Sequence, residues 1–233
     1  MMNYNPLLLI DFYKATHHEQ YPVGLTKMVS YYTPRMSRLD DVDHIAFFGL
    51  QAFIKEYLIE GFQRNFFDRP LEEVVNEYNR ILTYTLGPGS YEDQKIIDLH
   101  DLGYLPLEIR ALPEGSIVNM GIPIVEMRNT HPRFAWLVQW VECLLQTEVW
   151  PMCAYATVGW EYHKVAAKYY GMTCPEADPF MAMADFGFRG MSCLEDATRC
   201  SASWLLSFNK TSTIPALPYL DDYYAADCAK NKI

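Results

Sequence analysis

The segment MAMADFGFRGMSCLEDA, residues 181–197, is the feature that most limits how this chain can fold. It begins with a short apolar run, continues with an Asp, two Phe and an Arg around two glycines, and ends in a helix start. The apolar run is typical of a buried strand, and Ser192 with Glu195 forms a capping box. The segment therefore predicts a strand that turns into a helix at residues 185–189. Ligands of α/β folds bind at that edge of the sheet, so the turn is a candidate site.

The order of the other elements predicts an α+β part followed by an α/β part, with a boundary near residue 150. The two domains are then residues 1–150 and 151–233. Only two strands are predicted after residue 150, which is fewer than an α/β barrel needs. Helices are predicted at 45–62, 70–87, 90–103, 132–149, 154–170 and from 192 to about 208, with short strands at LEIRAL and IPIVEM and a last helix near the C-terminus.

Composition excludes several classes of protein. Half of the residues are hydrophobic, which excludes a disordered chain. The 19 Lys and Arg against 29 Asp and Glu give a net charge of -10, which argues against a nucleic-acid or anionic-membrane surface. The six cysteines form no C-x-x-C pair, as expected for reduced thiols in a cytoplasmic protein. The four-residue apolar run near the N-terminus is too short for a signal peptide or a membrane span, so we expect a soluble, intracellular protein.

Six segments together resemble one known family. DFYKATHHEQYP, YYTPRMSR, FFGLQ, LPLEIRALPEGSIV, DFGFRGMS and FNKTST are similar, in this order and at this spacing, to segments of the nicotinamide phosphoribosyltransferases. The resemblance covers nearly the whole chain but only about the first half of the family's length. It implies an α+β N-terminal domain followed by the beginning of an irregular α/β barrel, incomplete relative to the family.

The resemblance also implies a reaction. Nicotinamide and phosphoribosyl pyrophosphate would give nicotinamide mononucleotide and pyrophosphate, a step of NAD salvage. Family members are homodimers with active sites at the subunit interface and use Mg²⁺ with phosphoribosyl pyrophosphate. The residues that hold the magnesium, ribose and 5′-phosphate belong to the part of the family that has no counterpart here, and no catalytic residue is identifiable in this chain.

Five residues of this chain match substrate-binding positions of the family. By that resemblance, Phe186 and the Tyr13 of the other subunit would sandwich the pyridine ring, since offset stacking holds a flat heteroaromatic ring. Arg189 would lie beside the ring and the phosphate-bearing substrate, and Arg35 would reach across the interface to the pyrophosphate. Ser212 would face the exocyclic group of the ring.

Other residues of the turn have structural interpretations. We expect Asp185 to tie the turn together rather than to touch substrate, and Phe188 to lie in the core. Gly187 and Gly190 would permit a tight backbone path.

The chain departs from the family at the segment KTST. Members that use nicotinamide carry G-T-D-T there, so Ser212 stands in place of the Asp and Lys210 in place of the glycine. An Asp accepts a hydrogen bond from the carboxamide and repels a carboxylate, whereas Ser beside Lys tolerates the acid. Nicotinate is therefore an alternative substrate.

Three hypotheses follow. The first is a phosphoribosyltransferase that is complete only with a second polypeptide, or of which this chain is the N-terminal piece of a longer open reading frame, so that this chain alone is inactive. The second is an inactive remnant that binds pyridine rings or dimerises, and the third is a purely structural α/β protein. For the first, we also expect exposed apolar surface and a tendency to associate.

Overall fold

The protein consists of helices and short antiparallel strands. The computed structural model describes residues 5–227 and residue 230, and none of the helices there is both long and apolar enough to cross a membrane. The strands are β1 (Val29–Tyr32), β2 (His44–Ala46), β3 (Leu107–Ala111), β4 (Ile117–Asn119) and β5 (Val125–Asn129). The α-helices are α1 (Lys14–His17), α2 (Leu50–Phe53), α3 (Leu71–Leu86), α4 (Gln94–Leu102), α5 (Leu137–Trp140), α6 (Glu142–Thr173), α7 (Leu194–Trp204) and α8 (Ala216–Tyr224). The mixed α/β class expected from the sequence is confirmed, whereas the beginning of a barrel stays a prediction.

The chain forms two compact units, each of which is built from several separate stretches of the sequence. The first unit comprises the chain up to Tyr32, Ile54–Ala111 and Val125–Gln146. The second unit comprises Thr33–Phe53, Leu112–Ile124 and the chain from Thr147 onward. The predicted division into residues 1–150 and 151–233 stays a prediction.

The first unit contains a three-stranded antiparallel sheet with β5 at its centre. β1 pairs with one edge of β5, Val29 opposite Arg128, and β3 pairs with the other. Arg128 also lies opposite Glu108 of β3 and donates two hydrogen bonds to its carboxylate, at 2.8 and 2.9 Å. Arg128, followed by Arg110, holds the pKa of Glu108 at about 2. The cross-strand ion pair fixes the register of β3 on β5.

Two helices of the first unit have the ends that the sequence signals predict. Pro70 is the N-cap of α3, where its missing amide costs nothing, and Gly87 ends the helix with a φ of 91°. Gly103 ends α4 in the left-handed conformation, with a φ of 78°. The predicted start of α4 at Ser90 is wrong, because Asp93 is the N-cap.

The helix predicted in the segment 45–62 differs in extent and type. The helix begins at Leu50 and continues beyond α2 as the π-helical segments Ile54–Gly61 and Gln63–Phe67. Phe62 and Phe66 are buried there, with ring centroids 6.0 Å apart.

The second unit packs helices against the antiparallel pair β2 and β4. His44 of β2 lies opposite Asn119 of β4. A Cβ at Gly49 would lie 2.6 Å from the Sδ of Met152, and its φ is 107°, so only glycine fits where the chain passes α6. The core beside this contact contains Ala46, Phe48, Met152, Ala156, Ala202 and Ala216, with Leu205, Tyr219, Leu220 and Tyr224 packed against it.

Helix α6 is continuous through Pro151, so the predicted break between residues 149 and 154 is wrong. Val149, Met152 and Ala156 are buried on one side of the helix, and their burial offsets the amide that Pro151 lacks. The other side also carries large apolar residues, which we call the outer face of α6. Its exposed members are Val158, Tyr162, Val165, Tyr169 and Met172. The predicted exposed apolar surface is thereby confirmed, while association stays a prediction.

Candidate functional site

The predicted strand before the turn is absent, although residue 185 has a strand-like partner. Pro179–Met181 forms a 3₁₀ turn that Asp178 caps, and Met181 and Met183 are exposed. The strand prediction at this apolar run is therefore wrong, because its methionines do not enter a core. Only Asp185 pairs with another segment, in an isolated parallel bridge with Thr211.

That bridge brings two of the predicted substrate-binding residues together. The Ser212 amide donates to the Asp185 carbonyl oxygen at 2.9 Å, and the Asp185 amide donates to the Lys210 carbonyl oxygen at 3.4 Å. Phe186 is the next residue after Asp185, so the backbones of Phe186 and Ser212 are neighbours. The segments DFGFRG and KTST, which are separated in sequence, form one local structure.

The Asp185 side chain lies beneath the turn and is 7% exposed. Its Oδ1 accepts a hydrogen bond from the Gly187 amide at 2.9 Å, and its Oδ2 accepts one from the Thr213 hydroxyl at 2.8 Å. The Tyr155 and Thr211 hydroxyls donate over longer distances, 3.4 and 3.5 Å. The expectation that Asp185 ties the turn together is confirmed.

Gly187 is required by lack of space rather than by an unusual backbone conformation. A Cβ there would lie 2.8 Å from the Tyr155 hydroxyl oxygen and 2.9 Å from the Asp185 Oδ1, while φ is -73°. At Gly190 a Cβ would meet no heavy atom within 4 Å. The expected tight path therefore concerns Gly187, and nothing in the structure requires glycine at position 190.

The two aromatic residues of the turn are both exposed. Phe186 is 78% exposed, which leaves its ring faces free for a flat ligand. Phe188 is 43% exposed, so the expectation that it lies in the core is wrong. It belongs to a short 3₁₀ helix, Phe188–Gly190, that carries its side chain and that of Arg189 to the surface.

The helix after the turn begins one residue later than predicted. Cys193 is the N-cap of α7, and its sulfur accepts a hydrogen bond from the Asp196 amide at 3.4 Å. The Ser192 hydroxyl donates to the Asp196 carboxylate at 2.7 Å instead of capping the helix. The predicted capping box of Ser192 with Glu195 is therefore wrong. The acidic first turn of α7 still suits the positive end of the helix dipole.

Arg35 lies on another loop of the second unit. Its side chain is exposed, and among the described residues it has no ion-pair partner. The preceding residue, Pro34, is buried, and its carbonyl oxygen accepts a hydrogen bond from the Gly121 amide at 2.7 Å. The loop is thus anchored immediately before a free guanidinium.

Tyr13 belongs to the first unit and is 47% exposed. Its ring makes an edge contact with His17, at a centroid distance of 5.9 Å. The neighbouring Lys14 is buried and pairs with Glu142; burial alone would lower the pKa of Lys14, but this hydrogen bond raises it. The pair anchors the short helix α1, and the Tyr13 side chain remains partly exposed.

No residue set in the described part of the chain fits a metal ion. Within residues 5–227 and residue 230, no three His, Cys, Asp or Glu side chains form a group that could hold one. The cysteines at 143, 153, 174, 193 and 200 are all free, and Cys228 lies outside the described residues.

The sequence did not predict the residues beneath the turn. Tyr155 comes from α6, and only the tertiary structure brings it to Asp185. Thr211 and Thr213 could have been found, because alternate residues of an extended segment share one face. Both hydroxyls do point to the Asp185 carboxylate.

Comparison with known structures first defines the fold. The crystal structure of human nicotinic acid phosphoribosyltransferase superposes with a TM-score of 0.57 and 21% sequence identity, over 88% of this chain and 36% of that one. At this identity the likeness concerns the fold alone, which is that of a phosphoribosyltransferase.

Sequence comparison then identifies the relatives within that class. The family model for the N-terminal domain of nicotinamide phosphoribosyltransferase matches residues 5–109. The nicotinamide phosphoribosyltransferase of Acinetobacter baylyi is 42% identical over 228 residues, and that of Xanthomonas campestris is 32% identical over 217 residues. The resemblance found in the sequence is confirmed: the chain is similar to nicotinamide phosphoribosyltransferases, and its residues 5–109 are similar to their N-terminal domain.

The matched regions differ in their share of each protein. The alignments cover 95% and 91% of this chain, but only 45% and 43% of the Acinetobacter and Xanthomonas proteins. The chain thus spans somewhat less than half the length of these relatives.

Proposed function

We propose that this chain is the pyridine-binding part of a phosphoribosyltransferase of NAD salvage. The reaction converts nicotinamide and phosphoribosyl pyrophosphate into nicotinamide mononucleotide and pyrophosphate. The observation that carries the proposal is the exposed Phe186 ring on a turn that is hydrogen-bonded to the Ser212 segment. Relatives named for this activity match nearly the whole chain, which supports the same assignment.

In this proposal two aromatic rings hold the base. Phe186 stacks on one face of the pyridine ring, and Tyr13 of a second subunit stacks on the other face. The exposure of both rings supports this role, since neither ring is buried in the core. A homodimer follows from the proposal, because each ring site then takes residues from two chains.

Arg189 and Arg35 are the two residues that would bind the polar and charged groups of the substrates. Arg189 donates from its planar guanidinium to the ring substituent or to phosphate. Arg35 stabilises the pyrophosphate as negative charge develops on the leaving group. Their exposure supports these roles, because exposed guanidinium groups are available to a phosphate-bearing ligand.

Nicotinate is the second candidate base, and the segment Lys210–Thr213 favours it. Lys210 and Ser212 are both exposed beside the turn, and neither repels a carboxylate. A lysine near the exocyclic group would attract the acid, whereas the amide would gain only a hydroxyl partner.

Magnesium and the ribose phosphate need groups from outside the described residues. Mg²⁺ enters this proposal only as part of the phosphoribosyl pyrophosphate substrate, and no step here is assigned to it. The part of the relatives that this chain does not match would supply those groups, on a second polypeptide or on a longer form of the same chain, and residues 1–233 alone would be inactive. The alternative is an inactive remnant that binds the ring or dimerises.

Free thiols and an acidic composition support a cytoplasmic protein without nucleic-acid partners.

Ring binding tests the proposal directly. Calorimetry with nicotinamide and nicotinate is expected to show binding that Phe186→Ala abolishes. Phe188→Ala is the matched control, because Phe188 is an exposed phenylalanine of the same turn without an assigned role. Absence of binding to either base, or equal loss in both variants, would contradict the proposal and favour a purely structural protein.

A further inference from the structure

The buried carboxylate of Asp185 is surrounded by donors that belong to the protein itself. Each carboxylate oxygen has about two lone-pair positions, and here each oxygen faces two donors. Gly187 and Tyr155 donate to Oδ1, and Thr213 and Thr211 donate to Oδ2. The Gly187 amide and the Thr213 hydroxyl make the two shorter hydrogen bonds, at 2.9 and 2.8 Å, so each oxygen is held by one close donor.

The donors connect the turn to two helices. Tyr155 belongs to α6, and the hydroxyl of Thr211 also shares a hydrogen bond of 2.7 Å with Ser201 of α7. The Thr213 amide donates to the Thr211 hydroxyl oxygen at 2.8 Å, which closes the network. Asp185 is therefore the point at which the turn, the Lys210–Thr213 segment and both helices are joined.

All four donors are neutral groups. Burial, followed by the charge of Asp185, raises the pKa of Tyr155 to about 12, so its hydroxyl keeps its proton. Among the ion pairs of the described residues none includes Asp185. The position of the carboxylate thus depends on directed hydrogen bonds rather than on a counter-ion, and directed bonds fix geometry more strictly.

We infer that Asp185 is a positioning residue that holds the Phe186 ring and the Ser212 side chain at a fixed separation, so that one ligand ring meets both. The inference rests on the proposed function and adds that base recognition depends on a residue that never touches the base. Loosening the network would let the two contacts move independently, and their joint contribution to base binding would fall.

Thr213→Val tests this role with little change of shape. Valine keeps the volume of the fully buried Thr213 but removes the donor to the Asp185 Oδ2. Loss of a hydrogen bond to a charged group corresponds to a change of about 10- to 100-fold in a local equilibrium. We expect hydrogen exchange of the Gly187 and Ser212 amides to become faster by that factor.

The controls separate positioning from general stability. Thr213→Ser restores the donor and is expected to restore slow exchange. Thr198→Val removes a threonine hydroxyl from α7 that bonds only the Leu194 carbonyl oxygen, and it should leave both amides unchanged. Equal acceleration throughout α6 and α7, or no acceleration at Gly187 and Ser212, would overturn the inference.

A kinetic measurement with the second polypeptide supplied gives an independent readout. Thr213→Val is expected to raise KM for the base by about 10- to 100-fold and to leave KM for phosphoribosyl pyrophosphate unchanged. A uniform fall in kcat with both KM values unchanged would show a merely structural role and overturn the inference. If the unaltered protein binds neither base, the proposed function fails, whereas the exchange experiment still decides whether Asp185 holds the turn.

Discussion

Replacing Gly187 with alanine is expected to strain the turn by a calculable amount. The new Cβ would lie 2.8 Å from the Tyr155 hydroxyl oxygen and 2.9 Å from the Asp185 Oδ1, whereas ordinary contacts begin at 3.4 Å. The neighbours must therefore move by about 0.5 Å, and overpacking of this kind costs about 1–3 kcal/mol of unfolding free energy. Because the neighbours that move are the donor and the acceptor of the network, base binding should weaken as well.

Urea denaturation of four variants checks this reasoning. Gly187→Ala should lower the free energy of unfolding by about 1–3 kcal/mol, and Gly190→Ala, with open space around it, by at most about 0.5 kcal/mol. Tyr155→Phe removes one of the two clashing oxygens, so in that background the cost of Gly187→Ala should fall by at least about 0.5 kcal/mol. Equal costs at positions 187 and 190, or no coupling to Tyr155, would refute the explanation.

Three further predictions concern other parts of the molecule. Ser212→Asp, with the second polypeptide supplied, should raise the ratio of kcat/KM for nicotinamide over nicotinate by about 5- to 150-fold. The double variant with Lys210→Gly tests whether the lysine masks the change. An unchanged ratio in both variants would show that position 212 does not contact the ring substituent. The pKa of Glu108 is about 2, below its ordinary value of 4.5. The stabilisation by its ion pair is therefore complete above pH 4.5, and it is lost as the pH falls through about 2. Arg128→Met should move the NMR titration of Glu108 upward toward 4.5, and an unmoved titration would contradict that cause. Val165→Glu should reduce binding of a hydrophobic dye, because it places a charge at the centre of the outer face of α6; unchanged dye binding would show that this face is not the exposed apolar surface.

Local signals predicted both ends of helix α3 and the C-terminal end of α4. Pro70 and Gly87 act through their own backbone chemistry, which no distant contact changes, and the structure has both where expected. Gly103 ends α4 for the same reason. The cap of α7 escaped prediction, because a cysteine sulfur is a weak acceptor and a serine stands beside it.

Apolar runs were less informative than helix ends. The run before Asp185 has the composition of a buried strand, yet its methionines are exposed and only one residue pairs. Two separate helices were predicted at 132–149 and 154–170, but α6 is continuous through Pro151. Burial is decided by partners that are distant in sequence, so composition alone could not settle these elements.

The candidate site was only partly accessible from the sequence. Resemblance gave Phe186, Ser212 and Arg189 as site residues, and in the structure all three are exposed on two segments that are hydrogen-bonded to each other. The network beneath them depends on Tyr155 and Thr213, which lie 30 residues before and 28 residues after Asp185. Their roles follow from tertiary contacts, and no local sequence pattern indicates the role of Tyr155.

The most direct test of the account is mononucleotide formation by this chain together with the unmatched half of the Acinetobacter baylyi relative. The mixture receives Mg²⁺, phosphoribosyl pyrophosphate and either base, and each polypeptide is also assayed alone. The account predicts product only when both polypeptides are present, a large loss with Phe186→Ala and little loss with Phe188→Ala. Product from this chain alone, or none from a stable complex of the two polypeptides, would contradict it.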